Sequence, residues 1–358
     1  MTRRQPTPTC PSATCRSTPP AHRPAVIRHS LLRTRRGTKH RWRCKLCGLT
    51  FTANHGTPYH RLRSTPARFD RAVHLVMEGT TQASIARSEG LSPSTVRRWF
   101  ERATRAAHEF TQRAVRNLEP VEIQVDELRS YAGHRDNRQF VFAAIDVSPR
   151  FWLAGAVGKR TRRSCRLVLR QARNRCSSTG KRVLIVTDPF QFYRPEVQLT
   201  WGRTCVHVES GKIIRRNRIV RVNNDLVWGT QEQLDEVRSR CEDSKTINTA
   251  FIERLNLTMR KSLSCLQRKT NSAAKTRETL EARIDLLQVY YNFVRPHRSL
   301  KVGRELRSPA QQVGLVTRVL SWRDVFLSFR PMARLAWLSD DLTRKEWSRS
   351  APCLASNT

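Results

Sequence analysis

Between residues 66 and 112 apolar positions recur every three or four residues, the period of a helix with one buried face. Punctuation cuts the run into three helices. Gly79 ends the first and Thr81 caps the second; Gly90 ends that one, Ser92 caps the third and Pro93 opens it. Ala83, Ile85, Ala86 and Leu91 make a small apolar inner face that lets two helices cross closely. Val96 and Trp99 extend the buried side, which leaves Ser94, Thr95, Arg97 and Arg98 displayed beside it.

From residue 119 to 300 strand-like and helix-like stretches alternate. "VEIQVDELRSYA" (Val121 to Ala132) begins as a strand with Asp126 near its end. "QFVFAAIDV" and "FWLAGAVG", joined by "SPR", predict a hairpin, and a basic amphipathic helix follows over roughly Thr161 to Cys176. "KRVLIVTDPFQFY" holds a buried strand, Val183 to Val186, that terminates at Asp188 and Pro189. "CVHVES" and "NRIVRV" read as a further strand pair.

The stretch "NTAFIERLNLTMRKS" (Asn248 to Ser262) is helical by spacing, with Phe251, Leu255, Thr258, Ser262 and Leu266 on one face. Thr249, Glu253, Asn256 and Arg260 form a second stripe on the opposite side. One face suits a core, and the other displays a carboxylate, an amide and a guanidinium together. In "YYNFVRPHRSL", Pro296 stops a helix whose Tyr290, Tyr291 and Phe293 suit a core.

Charge changes the picture. The chain of 358 residues carries 67 Lys plus Arg against 29 Asp plus Glu, a formal net charge of +38. Asp70 is the first acidic residue, and fifteen Lys or Arg precede it. Such an imbalance fits a polyanionic partner, most simply nucleic acid. With no apolar run approaching ~18 residues, a membrane span is not expected. The acid-free N-terminus superficially suits an organellar transit peptide, but its cysteines have a better use as metal ligands. A reducing cytoplasm, in association with the nucleoid, is the expected location.

Four of the ten cysteines fall within the first 47 residues. In "CKLCG", Cys44 and Cys47 have metal-knuckle spacing, and Gly48 can take the positive φ that closes the turn. "CPSATC" offers Cys10 and Cys15, with a wider gap, and His22 or His29 could replace one of them. Zinc held by four such residues would be structural, because no coordination position stays open.

These readings give four regions: a zinc-ribbon-like basic domain over 1–62, a helix-turn-helix over 66–112, an α/β domain over 119–300, and an extension over 301–358 whose last stretch is too polar to order itself. In a helix-turn-helix the exposed Ser94, Thr95, Arg97 and Arg98 would meet DNA base edges. Three antiparallel strands, a helix, a further strand and a later acid-bearing helix are the order of a ribonuclease-H-like domain, with a mixed sheet and flanking helices. Asp126 and Asp188 would then sit on adjacent strands with Glu253 brought over them. Three such carboxylates can hold two Mg²⁺ (or Mn²⁺) ions ~3.5–4 Å apart. Glu127, next to Asp126, is expected on the other face of the strand, and Asp146 in a strand-end pairing role.

The combination of "VDEL", "TDPFQFY", "NTAFIERLNLTMRKSLSCLQRKT" and "YYNFVRPHRSL" resembles DDE-type insertion-sequence transposases, in particular the insertion-sequence-one-like group with an N-terminal ribbon and helix-turn-helix. The likeness runs from Cys10 to about residue 315. It implies Asp126, Asp188 and Glu253 as the catalytic metal-binding triad, Asn256 and Arg260 as supporting residues, and His297 as a nearby candidate. It also implies double-stranded DNA as partner, both transposon ends and target, and a homodimer or larger synaptic assembly. The sequence departs from the pattern in the wide first cysteine pair, in Pro189 where glycine is common, and in the 65-residue span from Asp188 to Glu253. Two other activities keep the same fold: a DNA-binding regulator without chemistry, and a nuclease that cuts without joining.

Overall fold

The computed structural model describes residues 10–12, 15, 25–34, 37–178, 180–216, 218–241, 243 and 246–328. The polar end of the C-terminal extension, expected to lack order, lies outside them. The chain divides into two compact units, Met1–Arg71 with Leu320–Thr358, and Ala72–Val319.

The first unit holds an antiparallel sheet of β1 (Val26–Thr34), β2 (Gly37–Cys44) and β3 (Thr50–Thr52), in that spatial order. Its core is small. Val26, Trp42, Cys44 and Phe51 are buried together, with Cys10, Cys15 and Leu49 packed against them. Away from this end, β1 and β2 run on as a two-stranded ribbon exposed on both faces. The helix Trp322–Leu327 places Phe326 edge-on to Tyr59 and Phe69.

The division between units falls within α1 (Pro66–Met77). Next come α2 (Gln82–Ser88) and α3 (Pro93–Ala114). The expected punctuation is in place. Thr81 Oγ1 accepts from Ser84 N at 3.1 Å, Ser92 Oγ accepts from Thr95 N at 3.2 Å, and Gly79 has a φ of 89°. α3 is far longer than a recognition helix needs, about 33 Å from end to end. Its C-terminal half packs into the larger unit's core. There Phe110 meets Phe293 at 4.9 Å, and His108 Nδ1 lies 2.8 Å from Asp285 Oδ2.

The remaining elements are β4 (Glu122–Ala132), β5 (His134–Asp146), β6 (Phe151–Gly158), α4 (Arg162–Arg175), β7 (Val183–Thr187), α5 (Tyr193–Trp201), β8 (Cys205–Arg215), β9 (Arg218–Trp228), α6 (Gln231–Arg238), α7 (Ala250–Ser262) and α8 (Arg277–Val289). α8 continues into a π-helical turn, Tyr290–Val294. The strands form one six-stranded mixed sheet in the order β6-β5-β4-β7-β8-β9. β4, β5 and β6 are antiparallel neighbours, β7 lies parallel to β4, β8 parallel to β7, and β9 returns antiparallel. Central parallel strands are covered on both sides, and β7 is buried at all five positions. The α/β expectation of a mixed sheet with flanking helices is met.

Polar side chains fix the outer strand β6. Asn292 Oδ1 accepts from Trp152 N at 2.9 Å, and Asn292 Nδ2 donates to Trp152 O at 2.9 Å. Gln288 Nε2 adds a bond to Trp152 O at 2.8 Å, and Gln171 Oε1 accepts from Gly155 N at 2.7 Å. On α4 and α5, the wholly buried Glu196 receives Arg162 and both Arg166 Nε, at 2.6 Å, and Arg166 Nη2, at 2.9 Å. No helix among the described residues is long and apolar enough to cross a membrane.

Candidate functional site

β4 and β7 run parallel with Val125 opposite Thr187, so the next residues, Asp126 and Asp188, emerge at the same end of the sheet. This end is the carboxyl side of the parallel strands, where open α/β sheets place ligands. One carboxylate oxygen each from Asp126, Glu127 and Asp188 lie within 4.8 Å of one another. Glu127 does leave β4 on the opposite face. There it accepts from Tyr193 Oη at 2.9 Å and from Arg160, whose guanidinium stacks 4.0 Å over Phe190. Its carboxylate nonetheless lies close to those of the two aspartates, and Asp126, expected near the end of its strand, is in the middle of β4, which runs on to Ala132 beyond the parallel pairing with β7.

The electrostatics are unfavourable without a cation. Burial pushes the Asp126 carboxyl up to about 6, with Glu127 and Glu253 adding repulsion. Burial pushes Asp188 up to about 7, reinforced by Glu127 and Asp126. Asp188 Oδ1 is buried with no hydrogen-bond partner. A hard oxygen donor set with an unpaired buried carboxylate oxygen is what a divalent cation of the magnesium type takes as ligand.

α7 is held over β4 by a side chain from the strand itself. Gln124, fully buried, accepts from Phe251 N at 3.0 Å and Ile252 N at 3.1 Å, capping a helix 127 residues away in sequence. One turn further along α7, Asn256 Nδ2 donates to Asp126 Oδ2 at 2.7 Å, while Asn256 Oδ1 is buried and unpartnered. The buried face of α7 is Ile252, Leu255, Asn256, Met259 and Ser262. It is turned from the expected one: Phe251 is half-buried beneath Arg150, at 4.0 Å, instead of in the core.

Glu253 stands one turn before Asn256 but outside the group of three close carboxylates. Its side chain is 48% exposed, accepts from Thr249 Oγ1 at 2.8 Å, and is ion-paired with Lys212 of β8. The structure thus brings Asp126 and Asp188 together, adds Glu127, and sets Glu253 near Asp126 under a lysine clasp. Arg260 is half-buried along the same stripe, its pKa lowered by burial and by Arg268. His297 packs edge-on against Tyr291 at 4.5 Å and donates from Nε2 to Tyr291 O at 3.0 Å. Burial pushes it down to about 4, so it is a neutral ring bracing the turn before it. Asp146, fully buried opposite Ile123, is pushed up to about 8 by burial and by Glu122.

In the smaller unit, Cys10, Cys15, Cys44 and Cys47 present sulfurs all within 4.8 Å of one another. Cys10 Sγ is 3.6 Å from Cys47 Sγ, and Cys15 Sγ is 3.6 Å from Cys44 Sγ. A tetrahedral site with Zn–S bonds of ~2.3 Å has sulfur–sulfur edges of ~3.8 Å, so the set fits. Gly48 takes a φ of 73° and donates to Cys44 O at 3.0 Å, closing the knuckle. Burial opposes ionisation of Cys44, yet backbone N–H groups of Cys47 and Leu46 pull its thiol down to about 7. His29 is exposed on β1, and His22 lies outside the described residues.

At the start of α3, Ser94, Arg97 and Arg98 are exposed, with Val96 and Trp99 buried behind them. Thr95 is half-buried, and its hydroxyl lies 2.8 Å from Ser92 Oγ.

Gln124, Glu127, Tyr193 and Lys212 were outside the set expected from sequence. Only the adjacency of Glu127 to Asp126 hinted at one of them. No family model matches this chain, and no curated protein matches it either.

Proposed function

We propose that the chain is a DDE-type transposase that binds the terminal repeats of its own element, cleaves phosphodiester bonds and joins the freed 3′ ends to target DNA. The observation that carries this reading is the meeting of Asp126 and Asp188 at one end of adjacent parallel strands, with α7 joined to them through Asn256. The strand order, three antiparallel strands followed by two parallel ones, supports a ribonuclease-H-like identity for the sheet. Asp126, Asp188 and Glu253 would hold Mg²⁺ or Mn²⁺, two ions in all, with Glu127 as a further carboxylate at the same place. Bound there, the ions would supply an acidified attacking hydroxyl and charge neutralisation at the leaving oxygen. The chain's own part is to hold Asp126, Glu127 and Asp188 close together with Glu253 nearby, to orient Asp126 through Asn256, and to grip the phosphodiester with surrounding cations. The four cysteines would hold structural zinc, and Ser94, Arg97 and Arg98 would address DNA. Two ends must be held together, so a dimer or larger assembly on DNA belongs to this reading.

The Lys212–Glu253 ion pair favours a second reading, a DNA-binding regulator without chemistry, because it occupies the third acid. Strand-transfer assays on DNA bearing the sequences that flank the gene, with Mg²⁺ or Mn²⁺, separate the two. A transposase yields joined products that vanish with Asp188→Asn and Glu253→Gln. DNA binding with neither cleavage nor joining establishes the regulator, and cleavage without joining a nuclease.

A further inference from the structure

β7 is shorter than the strands on either side of it. It pairs with β8 only as far as Thr187 opposite Glu209, the level at which Asp188 leaves the sheet. β8 continues in the same direction, now paired with β9 alone, from Ser210 opposite Asn224 to Arg215 opposite Arg218. At ~3.3 Å per residue this two-stranded arm runs roughly 20 Å past the end of β7, on the side of the acids. Its root is tied to the helix that carries Glu253. Lys212 is ion-paired with Glu253, and Asn224 Nδ2 donates to Ile247 O at 3.0 Å, just before α7.

The arm is bare. β9 is exposed at every residue from Val220 to Asp225, and Ile213, Val220 and Val222 are 40%, 60% and 39% exposed. A two-stranded ribbon without a covered face is marginally stable in water, so an outside partner would stabilise it. Cations by themselves would be ordinary protection of a sheet edge. That account gives no reason for the exposed apolar residues or for the arm's place beside the acids.

Charge complementarity names the partner. From Ser210 to Asn224 the sequence holds Lys212, Arg215, Arg216, Arg218 and Arg221 and no acid. A two-stranded ribbon is of a size to enter the major groove of duplex DNA, ~12 Å wide, where cations meet phosphates and apolar side chains meet thymine methyl groups. We propose that the β8–β9 arm is a docking surface for duplex DNA and holds the duplex whose phosphodiester faces Asp126 and Asp188. This rests on reading those acids as the cleavage site.

The test is fluorescence anisotropy of the full chain on a labelled duplex and on one of its single strands, over a salt series without divalent ions. Arg216→Gln with Arg221→Gln removes two exposed charges from the arm; Arg170→Gln with Lys181→Gln removes two exposed charges from α4 and the chain before β7. The arm pair is expected to weaken duplex binding about tenfold and to lower the slope of log affinity against log salt by about 2. The other pair should change affinity less than about twofold. A photo-crosslinking benzoylphenylalanine at Val220 should label the duplex, and one at Leu199, 59% exposed on α5, should not. Equal losses from the two pairs, a loss confined to the single strand, or no crosslink at Val220 overturns the proposal. Because binding is read apart from chemistry, failure to join DNA ends in the strand-transfer assay sinks the transposase reading and leaves the result for the arm intact.

Discussion

Asn256 donates to Asp126 Oδ2 across 2.7 Å, a bond between two residues 130 apart in sequence. It is the one direct hydrogen bond between the acid-bearing helix α7 and the Asp126, Glu127 and Asp188 carboxylates among the described residues. The orientation of a metal-binding carboxylate depends on such a donor. Asn256→Ala is expected to weaken Mn²⁺ binding about tenfold, and Asp188→Asn to abolish it, in calorimetric titrations. Unchanged affinity in Asp188→Asn would remove this cluster as the cation site.

Asp146 gives a pH dependence away from that cluster. In the unfolded chain its carboxyl titrates near 3.9, whereas burial and Glu122 push it to about 8 in the folded protein. The native state therefore keeps a proton that the unfolded state releases, and stability falls as pH rises from about 4 to about 8. Its share of that slope is about 1.4 kcal/mol per pH unit. Asp146→Asn, neutral at every pH, should flatten the fall in denaturation midpoint by that share.

The Glu196 cluster has the opposite sign. Hydrogen bonds from Arg166, and then Arg162, hold Glu196 below the usual carboxylate range despite its burial. Its contribution is present at neutral pH and lost as pH falls through the lowered value. Removing Arg162 and Arg166 together leaves a buried acid alone and should cost about 3–5 kcal/mol in urea denaturation. Glu196→Gln leaves only partly exposed guanidinium groups and should cost less.

Much of this architecture was legible in the sequence, because the signals were local. Thr81, Ser92 and Pro93 cap and open helices by their own chemistry, and the apolar run Val183 to Val186 ends at Asp188 wherever the strand is placed. What was not legible depends on partners far along the chain. Gln124 caps α7 across 127 residues, and that cap sets the helix rotation, which is why Ile252 and Met259 are buried and Phe251 is not. Lys212 reaches Glu253 only because β8 lies parallel to β7 in the same sheet. Where the second half of α3 packs, with His108 on Asp285 of α8 and Phe110 on Phe293, was likewise not legible.

DNA affinity should depend on the start of α3. Arg97→Ala and Arg98→Ala are each expected to weaken duplex binding and to reduce the slope of log affinity against log salt by about 1. Fluorescence anisotropy over a salt series measures both. Thr95→Ala should act on helix stability instead, since its hydroxyl lies at the Ser92 cap.

Metal removal should affect the ribbon. With a core of four buried residues, the β1–β3 sheet has little else to stabilise it than its four cysteines. Chelation, or Cys44→Ser, should release one zinc per chain in a colorimetric assay and accelerate amide exchange across β1–β3. Exchange across β4 and β7 should stay as it was.

Asn292, Gln288 and Gln171 have a consequence for how molecules of this protein meet. β6 is the last strand on its side of the sheet, where bare backbone groups would otherwise recruit a strand from a second molecule. Helix-borne amides already occupy both backbone polar atoms of Trp152 and the N–H of Gly155. Lengthening the sheet there would require evicting them, so strand-to-strand association is barred on that margin and left to β9 on the other.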